Sequence, residues 1–273
     1  MNRKTVTLLT LTAAALFTFN VTGSVEAAGT EKQVSFLSEQ APVWSTAPFY
    51  ADWLRGRSSV AVTDLDRNGR LELFFLKENL EPVAGAAQAG SNREQAMCML
   101  NSVPVSRQVK AYEVSADGKR LEELKFAWPD VRVVPDLHYL SAEFLKPDGN
   151  IRFYHIKTTE RAGTQDYRLY HQVISLKDGT LMVQTVGTEY GKYVMDDSKP
   201  YTEAVNGYCE TRNGERMNEK EIADYALTYT AGTVPKGIRV YWIPAGNVDS
   251  ALQTGTLREV LQESWKNFVY EDH

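Results

Sequence analysis

Cysteine is scarce in this chain, with two residues, Cys98 and Cys209, among 273. A disulfide-dense scaffold is therefore excluded. A basic surplus is also missing: 30 Lys plus Arg stand against 35 Asp plus Glu, for a net charge of −5. Removing the N-terminal leader, which holds Arg3, Lys4 and Glu26, keeps the balance acidic. That argues against a nucleic-acid binder, which would show a basic stripe or excess. Several catalytic signatures are lacking as well. There is no Gly-x-Ser-x-Gly elbow, no Ser-x-x-Lys, no His-Glu-x-x-His and no Cys-x-x-Cys. Gly85 and Gly90 have the spacing of a phosphate loop, but Ser91 stands where lysine is needed. Beyond the N-terminus no apolar run approaches membrane-spanning length.

What remains is ordinary globular material, 43% hydrophobic and 24% charged, which rules out wholesale disorder. Fourteen Tyr, ten Phe and five Trp supply bulk for a core. Residues 1–27 read as an export signal. Asn2-Arg3-Lys4 is positive, Thr5–Val21 is mostly apolar, and Val25-Glu26-Ala27 sets small or β-branched residues at −3 and −1 of a cut. The six polar residues that dilute the apolar stretch argue against a membrane anchor. No cysteine follows the cut, so lipid anchoring is not expected. The protein is thus expected outside the cytoplasm, secreted or periplasmic, with no membrane span after cleavage near Ala27. In that compartment Cys98 and Cys209 either close a loop of about 110 residues, worth on the order of 4–5 kcal/mol by chain entropy, or stay two thiols. Spacing does not decide between them.

The mature part, 28–273, reads as a single β-rich domain. Asp-Gly or Asn-Gly turns recur at Asp117-Gly118, Asp148-Gly149, Asp178-Gly179 and Asn213-Gly214, and such pairs tolerate the positive φ of tight hairpins. Strand-like runs flank them: 58–62, 71–76, 107–114, 139–145, 151–156, 168–176, 181–186 and 237–243. Residues 29–40 read as a polar leader, 81–93 as a flexible loop, and 190–201 as a second long loop. Helices are expected at 44–55, after the near capping box Asn218…Glu221, and over 256–268 with its stripe Leu257, Leu261, Trp265, Phe268. The fold class is mainly β: an antiparallel sheet of successive hairpins, propeller-like or curled, with a few peripheral helices.

One segment carries chemistry. Asp64-Leu65-Asp66-Arg67-Asn68-Gly69-Arg70-Leu71-Glu72 places side-chain oxygens at positions 1, 3, 5 and 9, with glycine at 6. A hard cation such as Ca²⁺ takes six to eight oxygens, and alternate residues of a tight loop can turn several inward. Arg70, at position 7, would offer only its backbone carbonyl. Position 12 is Phe75 rather than the glutamate of an EF-hand, and the flanks are strand-like. The candidate ligand set for Ca²⁺ is Asp64, Asp66, Asn68, Arg70 and Glu72. The competing reading is a plain hairpin turn at Asn68-Gly69, with Arg67 and Arg70 offsetting the acids. The histidines 138, 155 and 171 sit among strand-like apolar residues, so strand-face or core positions are expected for them rather than a three-histidine metal site.

This stretch, from Ala61 to Phe74, resembles the D-x-D-x-N-G-x-x-E loop of FG-GAP/VCBS-type repeats. More broadly the chain is similar to uncharacterised secreted bacterial proteins in which a short helix precedes one such loop. The resemblance implies a β-rich extracytoplasmic fold and a calcium site, and no known reaction. A single loop of this kind does not make a seven-bladed propeller. The functional expectation is a secreted, non-catalytic binding or structural module with one Ca²⁺ loop, acting on an extracellular protein or glycan. The alternative is an extracytoplasmic hydrolase of glycan or peptide, whose carboxylates would meet only in the fold.

Overall fold

The computed structural model describes residues 29–55, 57–81, 103–127, 134–135, 137–140, 142–145, 152–161, 166–194, 203–211, 213–228 and 231–271. Residues 1–27, expected to be an export signal, Cys98, the expected Asp148-Gly149 turn and most of the expected 81–93 loop lie outside them. Among the described residues no helix is long and apolar enough to cross a membrane.

The fold is mainly β, with antiparallel sheets and few helices. The first sheet has the order β13-β1-β2-β3-β4, from β1 (Arg57–Thr63), β2 (Glu72–Glu81), β3 (Val103–Val114), β4 (Leu121–Glu123) and β13 (Ile243–Pro244). The second has the order β11-β10-β9-β8-β7-β6-β12-β14. Its members are β6 (Ala142–Leu145), β7 (Arg152–Arg161), β8 (Asp166–Lys177), β9 (Thr180–Val194), β10 (Glu203–Thr211), β11 (Arg216–Met217), β12 (Val234–Arg239) and β14 (Val269–Glu271). One short strand, β5 (Lys125–Ala127), joins β9 in parallel. The expected β1–β2 hairpin forms with register Val60↔Phe75 and Thr63↔Glu72. At the β8–β9 turn Asp178 and Gly179 both have positive φ, +50° and +69°, the backbone such two-residue hairpins need.

The first sheet is buried on both faces, which explains why Leu73–Leu76 reads as an unbroken apolar run. Leu73 and Phe75 point to a helical layer, with Val60, Val62, Tyr112 and Val114. Phe74 and Leu76 point to the second sheet, where Ile156, Ile174, Leu181 and Val183 complete a second core. Layer order is therefore helices, first sheet, second sheet. Phe75 is the centre of the helical side, with the rings of Trp44 and Trp53 both at 5.3 Å and Phe49 at 5.4 Å.

Several local expectations are corrected. Residues 29–39 are not a polar leader but a helix, α1. Val34 and Leu37 there, with Ala41 and Trp44 after it, form a stripe at helical spacing and all four are buried. The expected 44–55 helix is two short ones, α2 (Ala41–Trp44) and α3 (Pro48–Trp53), the second starting where Pro48 can occupy the first turn. The 190–201 loop is strand as far as Val194. The 139–145 strand starts later than expected: Tyr139 closes a 3₁₀ turn, Leu137–Tyr139, and β6 begins at Ala142. The 237–243 strand divides: β12 belongs to the second sheet and β13 to the first, so this segment crosses between layers. Helix α4 (Glu219–Thr228) opens on the expected box, with Asn218 N–H donating to Glu221 and Glu221 N–H to Asn218 at 2.8 and 2.9 Å. Helix α5 (Ala245–Thr254) was not expected, because its buried stripe is the small set Ala245, Val248, Ala251. It ends at Gly255, φ +74°. Helix α6 (Leu257–Asn267) follows as expected, and Trp265 near its end packs against both cores.

Candidate metal centre

The loop between β1 and β2 is shaped by its own acid and amide side chains. Asp64 accepts from the Gly69 N–H at 3.2 Å, Asp66 from the Asn68 N–H at 3.2 Å, and Asn68 Oδ1 from the Arg70 N–H at 2.7 Å. Short polar side chains satisfying backbone donors a few residues on are what hold such a turn. Arg67 (φ +53°) and Gly69 (φ +79°) adopt the left-handed backbone that reverses the chain. Glycine at the sixth position is thus used as expected.

Three of the expected ligands come together. Asp64, Asp66 and Glu72 each offer a carboxylate oxygen, and the three oxygens lie within 4.8 Å of one another. Glu72 is completely buried and accepts from Thr63 Oγ1 at 2.7 Å and from the Leu65 N–H at 2.9 Å. The side chains of the other two expected ligands are engaged elsewhere, Arg70 having been expected to offer only its backbone carbonyl. The Asn68 amide donates its NH₂ to Asp66 at 2.9 Å and to Glu113 at 2.7 Å, while its oxygen accepts from Arg70. The Arg70 guanidinium pairs with Glu113 at 2.8 Å.

Burial and crowding raise the proton affinity of this corner. Asp64 is pushed up to about 6, first by burial and then by the charge of Asp66, against the pull of N–H donors from Gly69 and Asn68. Glu72 is pushed well above the usual carboxylate range by burial and by Asp64. Glu113 is raised chiefly by burial, with Asn68 and Arg70 acting in the opposite sense. Glu72 and Glu113 are direct neighbours across the β2–β3 ladder, an arrangement of like charges that disfavours ionising both.

Sequence reasoning missed the residues that seat the loop. Gln33 of α1 brackets it, donating to the Gly69 carbonyl and accepting from the Leu71 N–H, both at 2.8 Å. Tyr154 of β7 donates to the Leu65 carbonyl at 2.6 Å. Arg67 pairs with the fully buried Glu143 of β6. None of these could be found from spacing, because each comes from a distant element.

Chemically, three clustered carboxylates on a rigid hairpin can chelate a hard cation, with water completing the shell. The ion would offset the burial, and the charge repulsion second to it, that raise the proton affinities of Asp64 and Glu72. Asp64, Asp66 and Glu72 are thus a group that could hold a metal ion. The cavity of about 190 Å³ at Phe49, Phe75, Gln108, Lys110 and Phe126 includes none of these residues. His171 is fully buried against Glu189, whereas His138 lies in a 3₁₀ turn, not a strand, is partly exposed and bonds Ser59. His155 lies in β7. Cys209 is buried on β10 opposite Glu189. No family model, no curated protein and no solved structure matches the chain.

Proposed function

We propose that this is an exported binding or structural module whose 64–72 loop takes one Ca²⁺, the ion serving stability rather than turnover. The observation that carries the reading is the convergence of the Asp64, Asp66 and Glu72 oxygens within 4.8 Å. Support comes from the hairpin context, in which both ends of the loop are anchored in a sheet buried on both faces. Asp64, Asp66 and Glu72 are the ion's ligands; Asn68 joins them by turning its amide so that Oδ1 replaces the NH₂. Export, carried by residues 1–27, sends the chain to a compartment where calcium is plentiful and the site is filled.

The test is thermal unfolding with calcium, with magnesium and with chelator. Extracellular modules bind Ca²⁺ with Kd of roughly 10⁻⁴–10⁻³ M, so about 10 mM should add on the order of 1.5–3 kcal/mol by mass action. Magnesium should do much less, since it demands a smaller octahedral shell. Asp66→Ala should abolish the calcium response and leave a folded protein. Identical melting of the wild type in all three conditions leaves only a hairpin turn.

A further inference from the structure

At the corner where the chain crosses from the second sheet to the first lies a hydroxyl–imidazole pair unrelated to the acidic loop. Ser59 is on β1, opposite Leu76 of β2 and Pro244 of β13. Its neighbours Val60 and Val62 face the helices, so by strand alternation Ser59 faces the second sheet. Its Oγ is 2.6 Å from Nε2 of His138. His138 belongs to the 3₁₀ turn Leu137–Tyr139, anchored in the inter-sheet core by Leu137 and the following Leu140. The indole of Trp242 meets the His138 ring edge-on at 5.0 Å and fixes its plane. Trp242 also supplies an anomaly. Its Nε1–H is buried and has no acceptor among the described residues, although buried donors are nearly always satisfied. His138 is partly exposed while Ser59 is 7% exposed, so the imidazole is the more accessible member of the pair.

We propose that Ser59 and His138 are a nucleophile and general base for hydrolysis of carboxylic esters with a small acyl group. Ser59 Oγ attacks the ester carbonyl carbon as its proton passes to His138 Nε2. The carbonyl π bond opens to an oxyanion, for which the unused Trp242 Nε1–H is the donor in this corner. Collapse re-forms the carbonyl and breaks the bond to the alcohol oxygen, which leaves with the proton from His138. Water then attacks the acyl-serine, giving its proton to His138, and the carboxylic acid departs as Ser59 recovers its hydrogen. An ester rather than an amide is specified because an alkoxide needs less proton assistance to leave than an amine. A two-residue pair oriented by ring packing suffices for it.

The experiment uses the full chain, a fluorophosphonate probe and p-nitrophenyl acetate. The probe should label Ser59, identified by peptide mass mapping, and Ser59→Ala should lose both label and turnover. His138→Gln should slow labelling and turnover by about 100-fold or more. Trp242→Phe keeps the ring and removes the donor; it should lower turnover by about 100-fold while the label still reaches Ser59. Melting curves confirm that each variant is folded, and the wild-type label needs no variant at all. A folded wild type whose Ser59 stays unmodified, or labelling indifferent to His138→Gln, overturns the proposal.

Discussion

Tyr167 of β8 lies directly across from Gly191 of β9, and its ring occupies the space that a side chain at 191 would need. A Cβ there would stand 2.3 Å from the phenol carbon and oxygen. This is a packing demand, since Gly191 has no positive φ. Gly191→Ala should therefore destabilise the protein by about 1–3 kcal/mol through overpacking, read as a lower melting temperature. Tyr167→Ala added to Gly191→Ala should cost less than the sum of the single changes. Strict additivity would mean that the two residues do not share this space.

Arg67 links the β1–β2 loop to the second sheet through Glu143. The glutamate is fully buried and the arginine is about one-quarter exposed, with 26% of its side-chain surface open. Removing the cation from a buried pair leaves the carboxylate poorly compensated, so Arg67→Ala should cost on the order of 2–4 kcal/mol. Arg67→Ala with Glu143→Gln should recover part of that loss, because the amide carries no charge to bury. A chemical-denaturation double-mutant cycle measures the coupling. A double variant no better than Arg67→Ala alone would remove the pair from the account of how the loop is seated.

Gln33 holds both a carbonyl and an N–H of the loop backbone. Gln33→Ala leaves the N–H of the buried Leu71 without that acceptor. The expected cost is about 1–3 kcal/mol. Gln33→Glu keeps an acceptor for Leu71 but has no donor for the Gly69 carbonyl, so it should fall between wild type and alanine. Equal melting for all three proteins would show that α1 docks through Val34 and Leu37 alone.

Asp64 gives the apo protein a pH dependence of defined sign. Its folded-state value of about 6 exceeds the ordinary aspartate value of 3.8, so the folded state binds the extra proton. The stability that this proton contributes is fully present below about pH 4 and is lost as pH rises through about 6. The loss is on the order of 2–3 kcal/mol, and Glu72, also raised, acts in the same direction. In chelator, Asp64→Asn should gain on wild type steadily between pH 4 and 7. With calcium the wild type should recover, because the ion replaces the proton. A difference between the two proteins that does not vary with pH would contradict the raised affinity.

The parts of the fold that depend on local chemistry were legible in the sequence. Asp178-Gly179 announces its hairpin, Asn218 and Glu221 their helix start, and Leu257, Leu261, Trp265 and Phe268 their packing face. Helix α5 was not legible, because a stripe of alanines and one valine carries little hydrophobic contrast. Nor was the helix at 29–39, whose two buried residues sit among polar ones and gain meaning only when joined to Ala41 and Trp44. At the loop, spacing identified Asp64, Asp66 and Glu72 as a group. It could not foresee that the Asn68 amide would turn its NH₂ toward Asp66 and Glu113, because Glu113 arrives from β3. Gln33, Glu143 and Tyr154 were equally out of reach, since each meets the loop only after both sheets and α1 have packed.

The two-faced burial of β2 bears on how the molecule comes apart. Phe75 anchors the helical side and Phe74, the very next residue, anchors the inter-sheet side, so neither layer can leave without stripping one face of the same strand. Partial openings that free the helices or the second sheet must each expose apolar surface on β2, and both are costly. Amide protons of residues 73–76 should consequently exchange with deuterium only when the whole chain unfolds, setting the upper limit of protection in the molecule. Those of β11 and β14, two and three residues long at the margins of the second sheet, should exchange first.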